Sequence, residues 1–221
     1  MTELVVVKLG GRVAADAVRD ALAQVNGAAL VVHGAGPQIT EEMARRGIEP
    51  RFVRGRRVTT PAVLEVVREA LANVNAEVCR AIGPAAVGLE GDRIGLRAHR
   101  VEALGLVGEP EPCAPAAVVE VLAAGGVPVV APLAEGPLNV NADEAAAALA
   151  VGLGASRILF VSDVPGVYVE GAVARVLHAD EAQAGLDAGA FEGGIVPKLV
   201  AAVRAARGGV SASIGATEVP A

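Results

Sequence analysis

The sequence predicts an α/β protein, a three-layer αβα sandwich with a mainly parallel central sheet. Short Val/Leu/Ile runs alternate with longer helical segments along the 221 residues. Those runs are continuously apolar, as strands buried on both faces require. Several of them empty into turns rich in Gly, Asn and Asp, the place where an open α/β sheet binds its ligands.

Composition narrows the class further. Hydrophobic residues make up 53% of the chain and aromatics only 2%, so the core must be built from Val, Leu, Ile and Ala. The length suits one large domain with a substantial core. A net charge of -6 argues against a general nucleic-acid binder. Cys79 and Cys113 are isolated and lack metal-ligand spacing, which reads as reduced thiols in a cytoplasmic protein. Met1-Thr2-Glu3 leads directly into an apolar strand, without the pattern of a signal peptide. No apolar run reaches transmembrane length uninterrupted. A soluble protein is expected, with neither a membrane nor a nucleic acid as partner.

Leu4 to Leu9 is a buried strand that carries Lys8 and ends in Gly10 and Gly11. A lone ammonium is costly to bury. Lys8 therefore either snorkels from the strand end or meets an anion there, with the two glycines letting backbone N–H groups approach it. Val13 to Val25 has amphipathic helical spacing. Ala28 to His33 is a second buried strand, followed by Gly34-Ala35-Gly36-Pro37-Gln38 and a helix to Arg46. Strand, Gly-rich turn and helix present backbone donors to an anion, but Ile39 occupies the third glycine position of a dinucleotide fingerprint. His33 reads as structural. Arg51, Arg54, Arg56 and Arg57 form a basic run whose forked guanidinium groups suit carboxylates. Thr60 and Pro61 mark the start of a helix towards Ile82.

Ala85 to Gly88 reads as a short strand. Asp92 to Arg100 and Leu104 to Glu111 read as a polar hairpin outside the main sheet. Ala114 to Ala124 is helical and ends at Gly125-Gly126. Val127 to Leu133 reads as one strand leading to Leu138-Asn139-Val140-Asn141-Ala142-Asp143-Glu144. There Asn141 is the N-cap of an Ala-rich helix, Glu144 completes a capping-box pattern, and Asp143 falls in the first turn, where the helix dipole favours an acid. Capping does not explain Asn139. Arg157 to Val161 is another buried strand, emptying into Ser162-Asp163-Val164-Pro165-Gly166-Val167-Tyr168, a ligand loop or a tight turn in form. Ala179 to Ala188 is a short helix. After Gly193-Gly194 and Pro197, Lys198 opens the last helix, to Arg207. A first-turn lysine opposes the dipole, unless it faces a phosphate. Gly208 to Ala221 begins as a strand and becomes small and polar.

Two such lysines, glycine-rich turns and one acid make up a phosphoryl-transfer site without a P-loop. That chemistry asks for positioning and charge neutralisation more than for covalent participation. In this order, Lys8-Leu9-Gly10-Gly11, His33-Gly34-Ala35-Gly36, Gly55-Arg56-Arg57-Val58-Thr59, Asn139-Val140-Asn141-Ala142-Asp143, Ser162 to Val167 and Gly193-Gly194-Ile195-Val196-Pro197-Lys198 resemble the amino-acid kinase family, and within it the acetylglutamate kinases. The resemblance runs from Val5 to about Arg207.

The resemblance implies a single domain of the amino-acid kinase fold over residues 1–221. About 1–135 would hold the acetylglutamate site and a dimer interface, and about 136–221 the ATP site. It implies transfer of the ATP γ-phosphate to the side-chain carboxylate of N-acetyl-L-glutamate in arginine biosynthesis. Lys8 and Lys198 would stabilise the transferring group and Asp143 would orient them. Gly10 and Gly11 would lie against the phosphates. Gly34, Ala35, Arg57 and Asn139 would bind the acyl amino acid. Asp163, Val164, Pro165, Gly166, Val167 and Tyr168, with Ala190, Phe191 and Glu192, would line the ATP site. Mg²⁺ would arrive with ATP and keep phosphates and waters as ligands, since no dedicated metal cage is visible.

Departures from the family pattern carry their own expectations. Ala35 stands where a glycine is usual; it keeps its N–H, and a positive φ there would be strained. Ile195 stands where methionine is common. The chain ends without the usual Gly-Thr-x-Ile closing strand. No helix precedes the first strand, which implies an arginine-insensitive homodimer. The rival readings are a related kinase acting on carrier-protein-bound glutamate or aminoadipate, and a non-catalytic nucleotide-binding protein of the same fold.

Overall fold

The computed structural model describes residues 3–10, 15–53, 55–161 and 164–221. From the N-terminus, β1 (Leu4–Leu9) is followed by α1 (Ala15–Ala23), β2 (Ala28–His33) and α2 (Gly36–Arg45). A small hairpin, β3 (Phe52–Val53) and β4 (Arg56–Arg57), precedes the long helix α3 (Pro61–Ile82). Next come β5 (Ala86–Glu90), α4 (Gly91–Ile94), β6 (Ala98–Arg100), β7 (Val107–Pro110), α5 (Ala116–Ala123) and β8 (Val127–Ala131). Two short strands, β9 (Leu133–Ala134) and β10 (Leu138–Val140), lead into α6 (Ala142–Gly152). The remainder is β11 (Arg157–Phe160), the hairpin β12 (Tyr168–Val169) and β13 (Ala172–Val173), α7 (Ala179–Asp187), α8 (Ile195–Arg207), β14 (Ser211–Ile214) and β15 (Thr217–Val219).

The central sheet has seven strands in the order β15-β14-β11-β1-β2-β8-β5. All its pairs are parallel except β14 with β15. Successive side chains on a strand face opposite sides, and β1 shows it directly. Val5 and Val7 pack with α1, α2 and α3 residues such as Val18, Met43 and Val67. Val6 packs on the other face with Ala146, Leu149 and Ala202 from α6 and α8. The two clusters are the two halves of the core, one on each side of the sheet. Lys8 lies two residues beyond Val6 and so shares the face of α6 and α8, at the carboxyl end of the strand. Beyond its first turn α6 buries alanines at every position from 145 to 150 except Leu149, which lets it approach β1 and α8 closely. Gly152 ends α6 where a Cβ would run into the backbone of Cys113.

The structure corrects the sequence reading at four places. Residues 91–94 form a helical turn, not a strand, closed by Gly95 in the left-handed region at φ 85°; the polar hairpin is reduced to β6 and β7. The apolar run from Val127 to Leu133 is two strands. Pro132 has no N–H to continue the ladder, and beyond it Leu133–Ala134 joins a second, four-stranded sheet of order β6-β7-β10-β9. Asn139 is consequently a strand residue, paired with Val107 on β7 and Leu133 on β9. Lastly, a closing strand is present: β15 pairs antiparallel with β14. The turn between them packs on residues 164–165, where a Cβ on Gly215 would come within 2.5 Å of the Pro165 carbonyl oxygen.

Candidate active site

β1, α6 and the start of α8 converge on one carboxylate. Asn141 caps α6, its side-chain oxygen accepting from the N–H groups of Asp143 (2.8 Å) and Glu144 (3.2 Å). This pins the first turn and aims the Asp143 side chain at the end of β1. There its Oδ1 lies 2.8 Å from Lys8 Nζ and 3.4 Å from Lys198 Nζ. Lys198 shares the buried face of α8 with Ala201, Ala202 and Ala205, which directs it towards α6. The two ammonium groups thus share one anionic partner in a nearly dry place. Burial pulls the Lys8 amine below its ordinary pKa, against the opposing influence of Asp143, and the neighbouring Lys198 adds to the depression. Net positive charge held where water is scarce is a binding place for an anion such as a transferring phosphoryl group. Lys8 and Lys198 are also the only lysines in the chain, all its other basic side chains apart from histidine being arginine.

Two clefts meet at this triad. One, of about 530 Å³, is lined by Lys8, Gly10, Gly34, Ala35, Arg57, Asn139, Asp143 and Lys198, among others. The other, of about 550 Å³, is lined by Gly10, Val164, Gly166, Tyr168, Ala190, Phe191, Glu192 and Lys198, with Val161, Gly194 and Ile195. Gly10, Gly194 and Lys198 belong to both. Gly194 is the N-cap of α8, so the positive end of that helix dipole points into the junction.

In the first cleft, Arg57 is buried. Its guanidinium donates to Gly36 O (3.2 Å) and Thr40 Oγ1 (2.9 Å), contacts Met43 Sδ (3.2 Å), and lies 4.6 Å from the Phe52 ring centroid. Burial lowers its pKa, and an arginine nonetheless stays charged. All these partners are neutral, which suits a guanidinium that awaits a carboxylate. Asn139 Nδ2 donates to Thr59 Oγ1 (3.0 Å), which in turn donates to the Arg57 carbonyl (2.9 Å). Asn139 and Arg57 are therefore tied into one network.

The glycine-rich turn is built differently from the expectation. Gly34 lines the cleft, but its N–H is already donated to Leu9 O (3.0 Å), so it is not a donor for a ligand. Ala35 sits at the N-cap of α2 with φ −144°. No positive φ is required, and the alanine is accommodated without strain. His33 is wholly buried, its Nδ1 3.4 Å from Gly34 O and its Nε2 3.1 Å from Asn75 Nδ2. Burial lowers its pKa to about 4, leaving a neutral ring that accepts from Asn75 and props the turn.

In the second cleft, Val164, Gly166, Tyr168, Ala190, Phe191 and Glu192 all reach the wall. Pro165 and Val167 do not, and here the sequence reading is corrected. Val167 is buried in the core and donates its N–H to Thr217 Oγ1 (2.8 Å). The Pro165 carbonyl accepts from Ala216 N–H (2.8 Å). These two anchor the loop to the β14–β15 turn because alternate residues of an extended segment face opposite ways. Gly11 and Asp163 lie outside the described residues.

Glu144 is a further correction. Its carboxylate does not fold back to complete a capping box. It takes a bidentate pair from Arg56, Nε to Oε1 at 3.0 Å and Nη2 to Oε2 at 2.8 Å. Capping and ion pairing compete for the same side chain, and the doubly charged, forked bond is the stronger. The sequence motifs included Thr59 and Gly194 but gave neither a place in the site; the Gly193-Gly194 pair was the signal for the second.

Comparison with known proteins bears on the sequence and the fold as a whole. The model of the amino acid kinase family matches residues 3–215. An acetylglutamate kinase of Rubrobacter xylanophilus is 43% identical over 95% of this chain and 87% of its own. That of Beutenbergia cavernae is 40% identical over 94% of this chain and 76% of its own. The smu.665 protein of Streptococcus mutans has the same fold, with a TM-score of 0.85 over 100% of this chain and 99% of its own at 24% identity. A sheet of matching topology, two clefts that meet at paired lysines, and a family model that spans nearly the whole sequence lead to one conclusion: the chain belongs to the amino acid kinase family.

Proposed function

We propose that this protein is an acetylglutamate kinase, transferring the γ-phosphate of ATP to the side-chain carboxylate of N-acetyl-L-glutamate to form N-acetyl-L-glutamyl 5-phosphate in arginine biosynthesis. The observation that carries the reading is the junction of two clefts at Lys198, one with a buried guanidinium for a carboxylate substrate and one sized for a nucleotide. The similarity of about 40% to acetylglutamate kinases over most of both chains supports the same substrate.

On this reading Arg57 and Asn139 hold the acyl amino acid, with Gly34 and Ala35 as the wall behind it. The acceptor carboxylate is already ionised near neutral pH, so no general base is needed. It attacks the γ-phosphorus in line with the departing ADP oxygen. Lys8 and Lys198 neutralise the charge that accumulates on the transferring group, and Asp143 keeps both ammonium groups aimed at it. Among the described residues no group of three or more His, Cys, Asp or Glu side chains is placed to hold a metal ion. On this reading Mg²⁺ comes with ATP and keeps phosphates and waters as its ligands. Bound in that way, it would neutralise phosphate charge alongside the lysines.

On the same reading about 1–135 supplies most of the substrate side and about 136–221 most of the nucleotide side, with Asn139 crossing to the substrate cleft. No described helix is long and apolar enough to cross a membrane, and a cytoplasmic homodimer is the proposed state. The open edge strand β5, where Val87 is exposed, is the face offered for pairing.

A coupled assay of ADP release with N-acetylglutamate, glutamate and aspartate tests the substrate; no turnover with N-acetylglutamate rejects it. Lys8→Ala should abolish transfer while calorimetry still detects acetylglutamate binding, and undiminished turnover in that variant would remove the mechanism. Sedimentation velocity tests the dimer.

A further inference from the structure

Outside the triad, four charged side chains form a second cluster. Glu144 holds Arg56 through two bonds and lies 3.7 Å from Arg204 Nη1. Glu109 on β7 pairs with Arg204 and lies 3.5 Å from Arg56 Nη1. Each arginine therefore contacts both acids. Glu144 is almost excluded from solvent and Arg56 is four-fifths covered. Breaking such a pair costs more than breaking an exposed one.

What gives the cluster meaning is where its members sit. Arg56 immediately precedes Arg57 on β4: Arg57 goes into the substrate cleft, while Arg56 goes to this cluster and borders both that cleft and the one beside the cluster. Glu144 immediately follows Asp143 in the first turn of α6. Arg204 is on α8, in the row with Pro197 and Val200 that lines a cleft of about 820 Å³ beside the cluster, and the same helix carries Lys198. Every element that delivers a charged group to the triad or the substrate cleft, apart from β1, also delivers one to this cluster.

We propose that Glu144, Arg56 and Arg204 are positioning residues that lock the substrate-side hairpin β3–β4 and the lysine-bearing helix α8 onto the first turn of α6. Arg56 sets the place of Arg57, and Arg204 sets the place of Lys198. Glu144 joins the two, so substrate capture and phosphoryl transfer are assembled on one turn of helix.

The proposal rests on the kinase reading above, and the two fail differently. If the unaltered protein does not turn over N-acetylglutamate, that reading fails. If it does, steady-state kinetics of Arg56→Met, Arg204→Met and Glu144→Gln test the cluster. Arg56→Met should raise the acetylglutamate KM about tenfold with kcat within twofold of the parent. Arg204→Met should lower kcat about tenfold with the acetylglutamate KM within twofold. Glu144→Gln should do both, and the Arg56→Met/Glu144→Gln double variant should raise KM no further than Arg56→Met alone, because residues that act as a unit are not additive. A merely structural cluster would lower the melting temperature and leave these constants alone. That result, or any other distribution of effects between KM and kcat, overturns the proposal. Arg204 is 42% exposed, so its variant should fold and decide the matter even if Glu144→Gln does not.

Discussion

Lys8 Nζ lies 2.8 Å from Asp143 Oδ1, with both side chains all but excluded from water. The same oxygen serves Lys198. The carboxylate is what makes one buried and one largely covered ammonium group tolerable and gives them one aim. Asp143→Asn keeps the shape and removes the charge. It should lower kcat by about 10²-fold or more, with a smaller change in the KM values, because the loss falls on the transition state. It should also destabilise the fold by roughly 3–5 kcal/mol, the usual cost of stranding buried charges. Stopped turnover assays and urea unfolding read the two effects separately.

Arg57 gives the opposite pattern. Its buried guanidinium has only neutral partners, so Arg57→Met removes a charge that the empty fold does not need. Substitution of buried ions by apolar groups of similar volume is often neutral or stabilising. The variant should melt at the parent temperature or higher, while its acetylglutamate KM rises about 30- to 100-fold, the loss of a charged hydrogen-bonded contact, and its ATP KM stays put. A destabilised Arg57→Met with normal substrate affinity would contradict the assignment.

Chemical labelling offers a test that needs no mutation. Since the chain has only Lys8 and Lys198, an amine-directed acylating reagent should modify these two and the N-terminal amine. An ATP analogue together with acetylglutamate should protect both lysines and not the terminus, as read by peptide mass spectrometry.

Acid stability should carry the signature of His33. Its folded pKa of about 4 lies below the ordinary 6.5, so between those values the unfolded chain binds the extra proton. Stability then falls as pH drops through that window, by about 3 kcal/mol in total for one group, and is fully present above pH 6.5. His33→Gln keeps an acceptor for Asn75 and does not titrate. Urea midpoints measured from pH 7 to pH 4 should fall less steeply in the variant than in the parent.

Thr217 ties the loop around Val167 to the end of the sheet. Its Oγ1 accepts from Val167 N–H at 2.8 Å and donates to Ala174 O at 2.6 Å. Thr217→Val leaves the buried Val167 N–H and the partly buried Ala174 carbonyl without that partner, at about 1–3 kcal/mol. The melting temperature should fall, and the ATP KM should rise while the acetylglutamate KM does not. Equal changes in the two KM values would place the loop elsewhere in the reaction.

Much of the fold was legible beforehand because the signals were local. Leu4–Leu9 and Ala28–His33 are strands in the residues expected, since a continuous apolar run has few other solutions. Thr60 and Asn141 cap their helices as their side chains dictate. The failures were also local in origin. Asp92–Ile94 has strand-like neighbours but takes the helical turn that Gly91 and Gly95 permit. Val127–Leu133 reads as one strand until Pro132 withholds its N–H. For the candidate site, the paired lysines, the acid, Arg57 and Asn139 were visible as residues out of place: charges or amides at the ends of buried strands, or a lysine at the wrong end of a helix.

By itself, then, the sequence determined most of the strands and helices and which polar groups capping and solvation leave unexplained. Only the tertiary structure decided that Lys8 and Lys198, from opposite ends of the chain, meet on one oxygen of Asp143. It alone decided that Glu144 serves Arg56 rather than its own helix, that Gly34 has already donated its N–H, and that Pro165 and Val167 turn away from the cleft. The reason is physical. Periodicity and capping are set by neighbours a few bonds away, whereas a buried charge is satisfied by whatever partner the packing of distant elements brings within reach.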